Sequence, residues 1–173
     1  SVVRLGSVIN LISGQDFKPN QYNDCNKGIP YITGASSLSN NGVIINRWTE
    51  EPRSFARNGD VLLVCKGSGY GTTVICDVDT AHIARQIMAI KSSAFLNMHY
   101  VRYFLKANIN YIKKSGQGLI PGIDRKSIQE MIFPLPPLKE QNRIVDKVDS
   151  IMDYLEKLQK EIELQEIILE DIM

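Results

Sequence analysis

Residues 139–173 carry the pattern that most constrains what this chain can fold into. Apolar side chains recur there at alternating steps of four and three residues, interrupted only at Gln165, and they are Ile144, Val148, Ile151, Leu155, Leu158, Ile162, Leu169 and Ile172. This heptad spacing is typical of a coiled-coil helix with one narrow apolar stripe. At about 1.5 Å per residue the helix would be about 45 Å long, which exceeds the width of a small domain. We therefore expect the stripe to pair with a second helix.

A proline-rich segment marks the boundary before this helix. Residues 133–141 read Phe-Pro-Leu-Pro-Pro-Leu-Lys-Glu-Gln. Proline lacks a backbone N–H and disfavours helix in the residue before it, so no helix continues through this segment. The sequence therefore predicts a globular domain at 1–133, a junction at 134–138 and a coiled-coil helix at 139–173, with the acidic Glu140 in its first turn.

Helix and strand patterns mix in the globular part. Helical spacing of Leu5, Val8, Ile9 and Ile12 predicts a short opening helix that ends at Gly14. Further helices are predicted at 97–112, capped by Asn97, and from Asp124 through Met131. Five short segments bounded by Gly, Asn or Asp predict strands, namely Ile29–Thr33, Val43–Ile45, Val61–Cys65, Thr72–Cys76 and Gln86–Ile90. Since they do not alternate regularly with long helices, we expect an α+β fold with a mixed sheet.

Composition narrows the class of protein. The 173 residues, 43% of them hydrophobic, suffice for one domain with an appendage. There is no run of about 18 apolar residues and no secretion signal, so we expect neither a membrane span nor export. The three cysteines, Cys25, Cys65 and Cys76, do not form an even disulfide set. They fit a reducing compartment, and we expect the protein to be cytoplasmic.

The net charge of +1 conceals an asymmetry along the chain. Residues 1–138 hold 15 Lys and Arg against 9 Asp and Glu, a net of +6, whereas residues 139–173 hold 5 against 10, a net of −5. A basic globule joined to an acidic tail indicates a polyanionic partner for the globule.

Patterns of known catalytic sites are missing. The glycine-rich segment 67–71 leads into a predicted strand rather than a helix, which favours a hairpin connection over a nucleotide site. Cys65, Cys76 and His82 lack the close spacing of a metal site, so buried thiols and a structural histidine are the simpler interpretation. His99 has no partner set of a general base. We expect no catalytic residues, no metal and no cofactor.

Polar loops hold the remaining candidates for function. Each such loop alone is more often a solvated turn, but several of them on a basic globule favour contact with DNA. Lysines would contact phosphates, while Gln117, Ser68 and Tyr70 would approach base edges. The candidate DNA contacts are Ser36, Arg47, Lys66, Ser68, Tyr70, Lys113, Lys114 and Gln117.

Several segments match a known family in order. Phe133 to Val145, reading FPLPPLKEQNRIV, resembles the junction signature of specificity (S) subunits of type I restriction–modification systems. Four weaker similarities precede it along the chain, at Gly28–Ile32, Asn58–Leu63, Ile83–Ile90 and Gly118–Ile123. The resemblance covers essentially the whole chain.

The resemblance implies a function and a set of partners. An S subunit carries two target recognition domains, each followed by a spacer helix, and the two spacers pack antiparallel as a ruler. Each domain reads one half of a split site in double-stranded DNA. The subunit recruits adenine methyltransferase (modification) subunits, and restriction subunits can then join. This chain, with one domain and one helix, would be half of such a subunit, either naturally short or cut from a longer protein, as Ser1 in place of Met suggests.

The resemblance also implies that two copies can pair. A homodimer through antiparallel C-terminal helices would rebuild the two-domain arrangement and read a palindromic split site. No catalytic activity would belong to this chain. The alternatives are a coiled-coil scaffold protein without sequence-specific DNA binding, and a recognition domain detached from an adenine methyltransferase.

Overall fold

Short strands precede a long C-terminal helix in the computed structural model, which describes residues 1–40, 42–115 and 122–172 and the side chains among them outside 111–115 and 169–172. The strands are β1 (Val2–Arg4), β2 (Leu11–Ser13), β3 (Ile29–Ile32), β4 (Leu38–Ser39), β5 (Gly42–Val43), β6 (Trp48–Thr49), β7 (Phe55–Arg57), β8 (Val61–Val64), β9 (Thr73–Ile75), β10 (Thr80–Ile83), β11 (Ile87–Ile90) and β12 (Ile132–Pro134). The helices are α1 (Met98–Ser115), α2 (Arg125–Gln129) and α3 (Leu138–Ile172).

Two four-stranded sheets form the globular part. One sheet, in the order β2-β11-β8-β9, is antiparallel throughout. The other, in the order β6-β3-β10-β7, is mixed, because β3 and β10 run parallel while the outer pairs are antiparallel. Two-stranded pairs join β1 to β12 and β4 to β5. The expected α+β class with a mixed sheet is confirmed.

The antiparallel sheet is the middle layer of the domain. Every residue of β8 and β11 is buried, and successive side chains belong to different apolar clusters. Val61 and Leu63 pack with α1 residues such as Val101, while Leu62 and Val64 pack with the mixed sheet. Because successive side chains of a strand point to opposite faces, a strand covered on both sides is apolar throughout. The uninterrupted apolar runs of the sequence have this origin.

The opening segment contradicts its predicted helix. Val2–Arg4 is a strand beside β12, a single 3-10 turn follows at Leu5–Ser7, and Leu11–Ser13 is a strand beside β11. The backbone N–H of Leu5 donates to the carbonyl of Met131 at 2.8 Å. Partners distant in sequence therefore satisfy this backbone, and tertiary pairing prevails over the helical spacing of its apolar residues.

Two other helix predictions hold with adjusted ends. The Asn97 side chain accepts hydrogen bonds from the backbone N–H groups of His99 and Tyr100 at the start of α1. Asp124 caps α2 by accepting from Ser127 N at 2.7 Å, but that helix ends at Gln129 rather than Met131. The predicted strand 43–45 is shorter as well, because β5 ends at Val43.

The first turns of α3 pack against the domain. Gln141 and Val145 are buried. Val145 belongs to the apolar cluster beneath α1, which also contains Val61, Leu63 and Val101. Farther along, the helix leaves the globule, and the stripe residues Ile151, Leu155 and Ile162 are 46%, 51% and 50% exposed. Within the part of the chain that the structure describes, no helix is long and apolar enough to cross a membrane.

Candidate nucleic-acid interface

The β8–β9 connection is a glycine-rich hairpin tip, as its sequence predicts. Gly67, Gly69 and Gly71 have φ angles of +79°, +80° and +94°, which side-chain-bearing residues rarely adopt. The hairpin ladder continues to its base, where the N–H of Gly71 donates to the carbonyl of Val64 at 2.7 Å. This backbone leaves the side chains of Lys66 and Ser68 exposed.

A second loop touches this tip. The turn Ala35–Ser37 follows β3, and a Cβ added at Gly69 would lie only 2.8 Å from the Cβ of Ala35. The side chain of Gln86 also lies against both loops, since its Oε1 would be 2.5 Å from a Cβ at Gly34 and 3.2 Å from one at Gly67. Glycine thus permits a close approach that brings exposed Ser36 beside the hairpin tip.

Two further segments extend this surface. Lys66 forms an isolated β-bridge with Gly122, and the N–H of Ile123 donates to the carbonyl of Cys65 at 2.8 Å. Two residues after Ile123, Arg125 Nη1 donates to Ser13 Oγ at 2.9 Å. Residue 122 and the start of α2 are therefore held at the same end of the strands of the antiparallel sheet.

The β10–β11 connection completes the surface. It contributes Arg85 and Gln86, both exposed. The Asp16 side chain holds the connection in place by accepting from the backbone N–H of Arg85 at 2.9 Å. We refer to the exposed and half-exposed polar residues of these segments as the loop cluster, which comprises Ser36, Lys66, Ser68, Arg85, Gln86 and Arg125.

The loop cluster is rich in unneutralised positive charge. None of its cations (Lys66, Arg85 and Arg125) takes part in an ion pair among the described residues. The nearby carboxylates of Asp16 and Asp124 accept hydrogen bonds from backbone N–H groups instead. A surface of this kind can contact phosphates through its cations and base edges through its hydroxyl and amide groups.

The structure brings together part of the predicted DNA-contact set. Ser36, Lys66 and Ser68 meet in the loop cluster, whereas Tyr70 is half-buried and packs against the apolar cluster beneath α1. Lys113 and Lys114 belong to the last turn of α1, but their side chains lie outside the described residues, as does all of Gln117. The structure adds to these positions Arg85, Gln86 and Arg125, which were not among the residues predicted from the sequence. The polar pair Arg85-Gln86 directly before an apolar strand was the available signal for two of them.

Arg47 lies apart from these loops, on the mixed sheet. Its carbonyl accepts from the N–H of Tyr31 at 2.8 Å, and its guanidinium carbon is 5.0 Å from the centre of the Tyr22 ring. Tyr22 in turn packs against the buried ring of Tyr31 at 5.5 Å between centroids. Aromatic side chains thus hold this arginine at the surface.

The buried cysteine side chains near the site pack within the apolar core of the domain. Burial raises the pKa of the Cys65 thiol, which the adjacent Lys66 opposes only in part. Cys76 is also buried and its pKa is raised for the same principal reason, while Cys25 is exposed and free. Within the described part of the chain, no group of three or more His, Cys, Asp or Glu side chains is arranged to hold a metal ion.

The predicted pairing residues follow one side of α3. Ile144 and Val148 are half-buried near the domain, Ile151, Leu155 and Ile162 are exposed, and Leu158 is half-exposed. The side chains of Leu169 and Ile172 lie outside the described residues. An apolar stripe therefore continues from the domain surface onto the free part of the helix.

Comparisons with known proteins agree with this architecture. A model of the family described as "Type I restriction modification DNA specificity domain" matches residues 1–166. The MjaX specificity subunit of Methanocaldococcus jannaschii is 28% identical over 174 residues, covering 92% of this chain and 38% of that protein. The EcoBI specificity subunit of Escherichia coli is 21% identical over 165 residues, covering 93% of this chain and 34% of that protein.

A solved structure shows the same fold. The crystal structure of the HsdS subunit from Thermoanaerobacter tengcongensis matches with a TM-score of 0.81 and 29% identity, covering 92% of this chain and 39% of that one. The chain thus spans about two fifths of the length of that subunit and of the MjaX subunit. With the family model matching almost its whole length, the chain belongs to the family of type I restriction–modification DNA specificity domains.

Proposed function

We propose that this chain recognises a specific sequence in double-stranded DNA as the specificity component of a type I restriction–modification assembly. The observation that carries the proposal is the loop cluster, in which segments distant in sequence bring unpaired cations and exposed amide and hydroxyl groups to one edge of the domain. Family membership supports DNA as the polyanion that such a surface would bind.

The residues of the loop cluster divide by chemistry into two roles. Lys66, Arg85 and Arg125 would neutralise phosphates and set the register of the domain on the duplex, which gives affinity without sequence preference. Ser68 and Gln86 would reach base edges, where an amide can pair with adenine and a hydroxyl can donate or accept. The predicted contacts Ser36, Tyr70, Lys113, Lys114 and Gln117 belong to this proposal as well.

We assign a separate role to each of the three segments of the chain on the basis of how α3 packs. Residues 1–133 would read DNA, 134–138 would form the junction, and 139–173 would pair with another helix. Because Gln141 and Val145 are buried against the domain, the helix leaves it at a defined angle. A paired helix would therefore set the distance between two reading domains, and with it the spacing between two half-sites.

The charge of α3 favours antiparallel pairing with a second copy. Its first turns, residues 139–147, hold three basic residues (Lys139, Arg143 and Lys147) and two acidic ones (Glu140 and Asp146), a net of +1, whereas residues 161–172 contain five acidic residues and no basic one. Parallel helices would place the two acidic ends together, while antiparallel helices separate them and place each beside a start with a net charge of +1. The resulting two-fold symmetry predicts a palindromic split site.

A separate apolar surface would dock the adenine methyltransferase subunit. Among the large hydrophobic side chains that the structure describes, Phe95 is the most exposed at 82%. It lines a groove of about 740 Å³ at the junction, together with Val8, Leu135, Pro137 and Leu138. Catalysis would reside in that partner, so this chain alone with S-adenosylmethionine should give no turnover. Restriction subunits would join the complex thereafter.

We expect Phe95→Glu to abolish co-elution with the modification subunit, because a charge would be buried in an apolar contact. The self-association of the variant, measured by analytical ultracentrifugation, should equal that of the original chain. A matched change at Ile132, which is 64% exposed but does not line the groove, serves as the control. Unchanged co-elution of the Phe95 variant would reject this docking surface.

The proposed function is tested by selection from random duplexes. This chain, mixed with its modification subunit, is expected to enrich a palindromic split motif with a fixed spacer. A single short half-motif would retain DNA reading but reject the symmetric pair. Absence of enrichment at low salt would reject DNA recognition and favour the coiled-coil scaffold alternative.

The salt dependence of binding tests the predicted phosphate contacts at the end of α1. Replacing Lys113 and Lys114 by Ala should weaken binding to all duplexes similarly and flatten the slope of log K against log salt by about two. Fluorescence anisotropy over a salt series measures this slope. Lys126→Ala, which removes an exposed cation paired with Glu130, is the control. A changed sequence preference would instead assign the two lysines to base reading.

A further inference from the structure

Arg47 is held in place before any ligand binds. Its guanidinium lies over the Tyr22 ring at 5.0 Å, and that ring packs on Tyr31, which is 5% exposed and whose hydroxyl accepts from the N–H of Phe17. Arginine normally loses substantial side-chain freedom on binding. Stacking on an anchored aromatic removes much of that cost in advance and leaves the N–H donors at the guanidinium edge available.

A second stacked arginine in the same region provides a contrast. Arg53 lies over the ring of Phe17 at 5.6 Å, but its guanidinium is also 3.9 Å from a carboxylate oxygen of Glu51. Arg47 has no ion pair among the described residues. Of these two arginines, only Arg47 combines an oriented guanidinium with uncommitted donors.

The position of Arg47 connects it to the loop cluster through β3. Its carbonyl is bonded to Tyr31, and the chain runs from Tyr31 into the turn that carries Ser36. Five extended residues span at most about 17 Å, which corresponds to about five base pairs of B-DNA. The separation between Arg47 and the loop cluster is therefore short enough for one duplex to span.

We propose that Arg47, oriented by Tyr22, reads a guanine in the major groove within the half-site. The guanidinium fork matches the O6 and N7 acceptors of guanine, an arrangement that a lysine ammonium cannot reproduce. This inference rests on the proposed function and adds to it a base identity and the residue that would specify it. Discrimination against other bases at that position should be about fivefold to about 150-fold.

The test compares the motifs that variants of the full chain select from one random duplex library. Arg47→Ala and Arg47→Lys are expected to lose the preference for G at one position of each half-site and to keep it elsewhere. Tyr22→Leu should weaken the same preference partially, because the guanidinium remains but loses its platform. Arg53→Ala, the matched control, should select the original motif. Circular dichroism confirms that each variant is folded.

Three outcomes would overturn the inference. Arg47→Ala could weaken binding to all sequences equally and lower the salt slope by about one while Arg47→Lys restores binding, which would make Arg47 a phosphate contact. An unchanged motif in Arg47→Ala would remove Arg47 from the interface. The absence of any motif with the original chain would overturn the proposed function as well, which distinguishes that failure from the other two.

Discussion

His82 shows how a buried titratable side chain serves this fold. Its Nδ1 accepts from the backbone N–H groups of Arg53 and Ser54, both at 3.1 Å, and its Nε2 lies 2.7 Å from the carbonyl of Gln15. Two donors at Nδ1 and an acceptor at Nε2 require the neutral tautomer protonated at Nε2. The structural role predicted for this histidine is thereby confirmed. The side chain joins β10 to the segment before β7 and to the residues after β2.

Stability should fall as the pH falls because of this residue. Burial lowers the pKa of His82 below its usual value, opposed in part by the hydrogen bond to Gln15. Below about pH 6.5 the unfolded chain therefore takes up a proton that the folded chain excludes, and the free energy of unfolding decreases by at most about 1.4 kcal/mol per pH unit. At higher pH the contribution is fully present.

Urea unfolding of the variant His99→Gln at pH 7.5 and 5.5 measures this effect, since the chain has two histidines and only His82 remains. The variant is expected to retain the acid sensitivity of the original chain. Equal stability at the two pH values would contradict the assignment of the acid sensitivity to His82.

At the scale of elements, Gln141 joins α3 to the domain. Its Oε1 accepts from the N–H of Asn97 at 2.9 Å, and its Nε2 donates to the carbonyls of Pro136 at 2.9 Å and Phe95 at 3.3 Å. One buried side chain thus connects the N-cap of α1, the proline junction and the first turn of α3. The sequence pattern included Gln141 only as part of the junction signature, because its partners are known only from the folded chain.

Gln141→Ala should lower the free energy of unfolding by about 2–3 kcal/mol, because it removes the hydrogen bonds of a buried side chain and leaves the half-buried Asn97 N–H without its partner. Urea denaturation measures the loss. Asn142→Ala, which removes the exposed hydrogen bond to Asn97 Nδ2, is the matched control and should cost less than about 1 kcal/mol. Similar losses in the two variants would show that burial does not distinguish the two contacts.

The elements differed in how well local sequence predicted them. The N-caps Asn97 and Asp124, the hairpin at 67–71 and the strands β8, β9 and β11 follow rules that act within a few residues. The opening segment did not follow its local pattern, because Leu11–Ser13 pairs with β11, which lies far away in sequence. Short strands with long-range partners, such as β6 and β7, carried no comparable local signal.

At the scale of the whole molecule, the stripe on α3 should determine the oligomeric state. Replacing Leu155 and Leu158 by Lys should convert a dimer to monomers while leaving the domain folded, since charges at heptad core positions oppose helix pairing. Sedimentation equilibrium measures the mass. Asp153→Lys introduces a similar charge away from the stripe and should leave the mass unchanged. An unchanged mass in the double variant would reject pairing through this helix.

The sequence by itself determined the features that local periodicity encodes. These are the heptad stripe of α3, the proline junction, the apolar runs of β8 and β11, the glycine hairpin and the helix caps. Each depends on spacing or on hydrogen bonds between near neighbours, so each can be predicted from the amino-acid sequence. The family signature at residues 133–145 coincides with two of these features.

Only the tertiary structure decided which surface these features form. The pairing of β8 with β11 places Lys66, Ser68, Arg85 and Gln86 at one end of these two central strands, and the close approach at Gly69 adds the turn that carries Ser36. Arg125 joins them through Ser13, which is distant in sequence. Side chains far apart in the chain meet only when long-range pairing is established, and periodicity contains no information about that pairing.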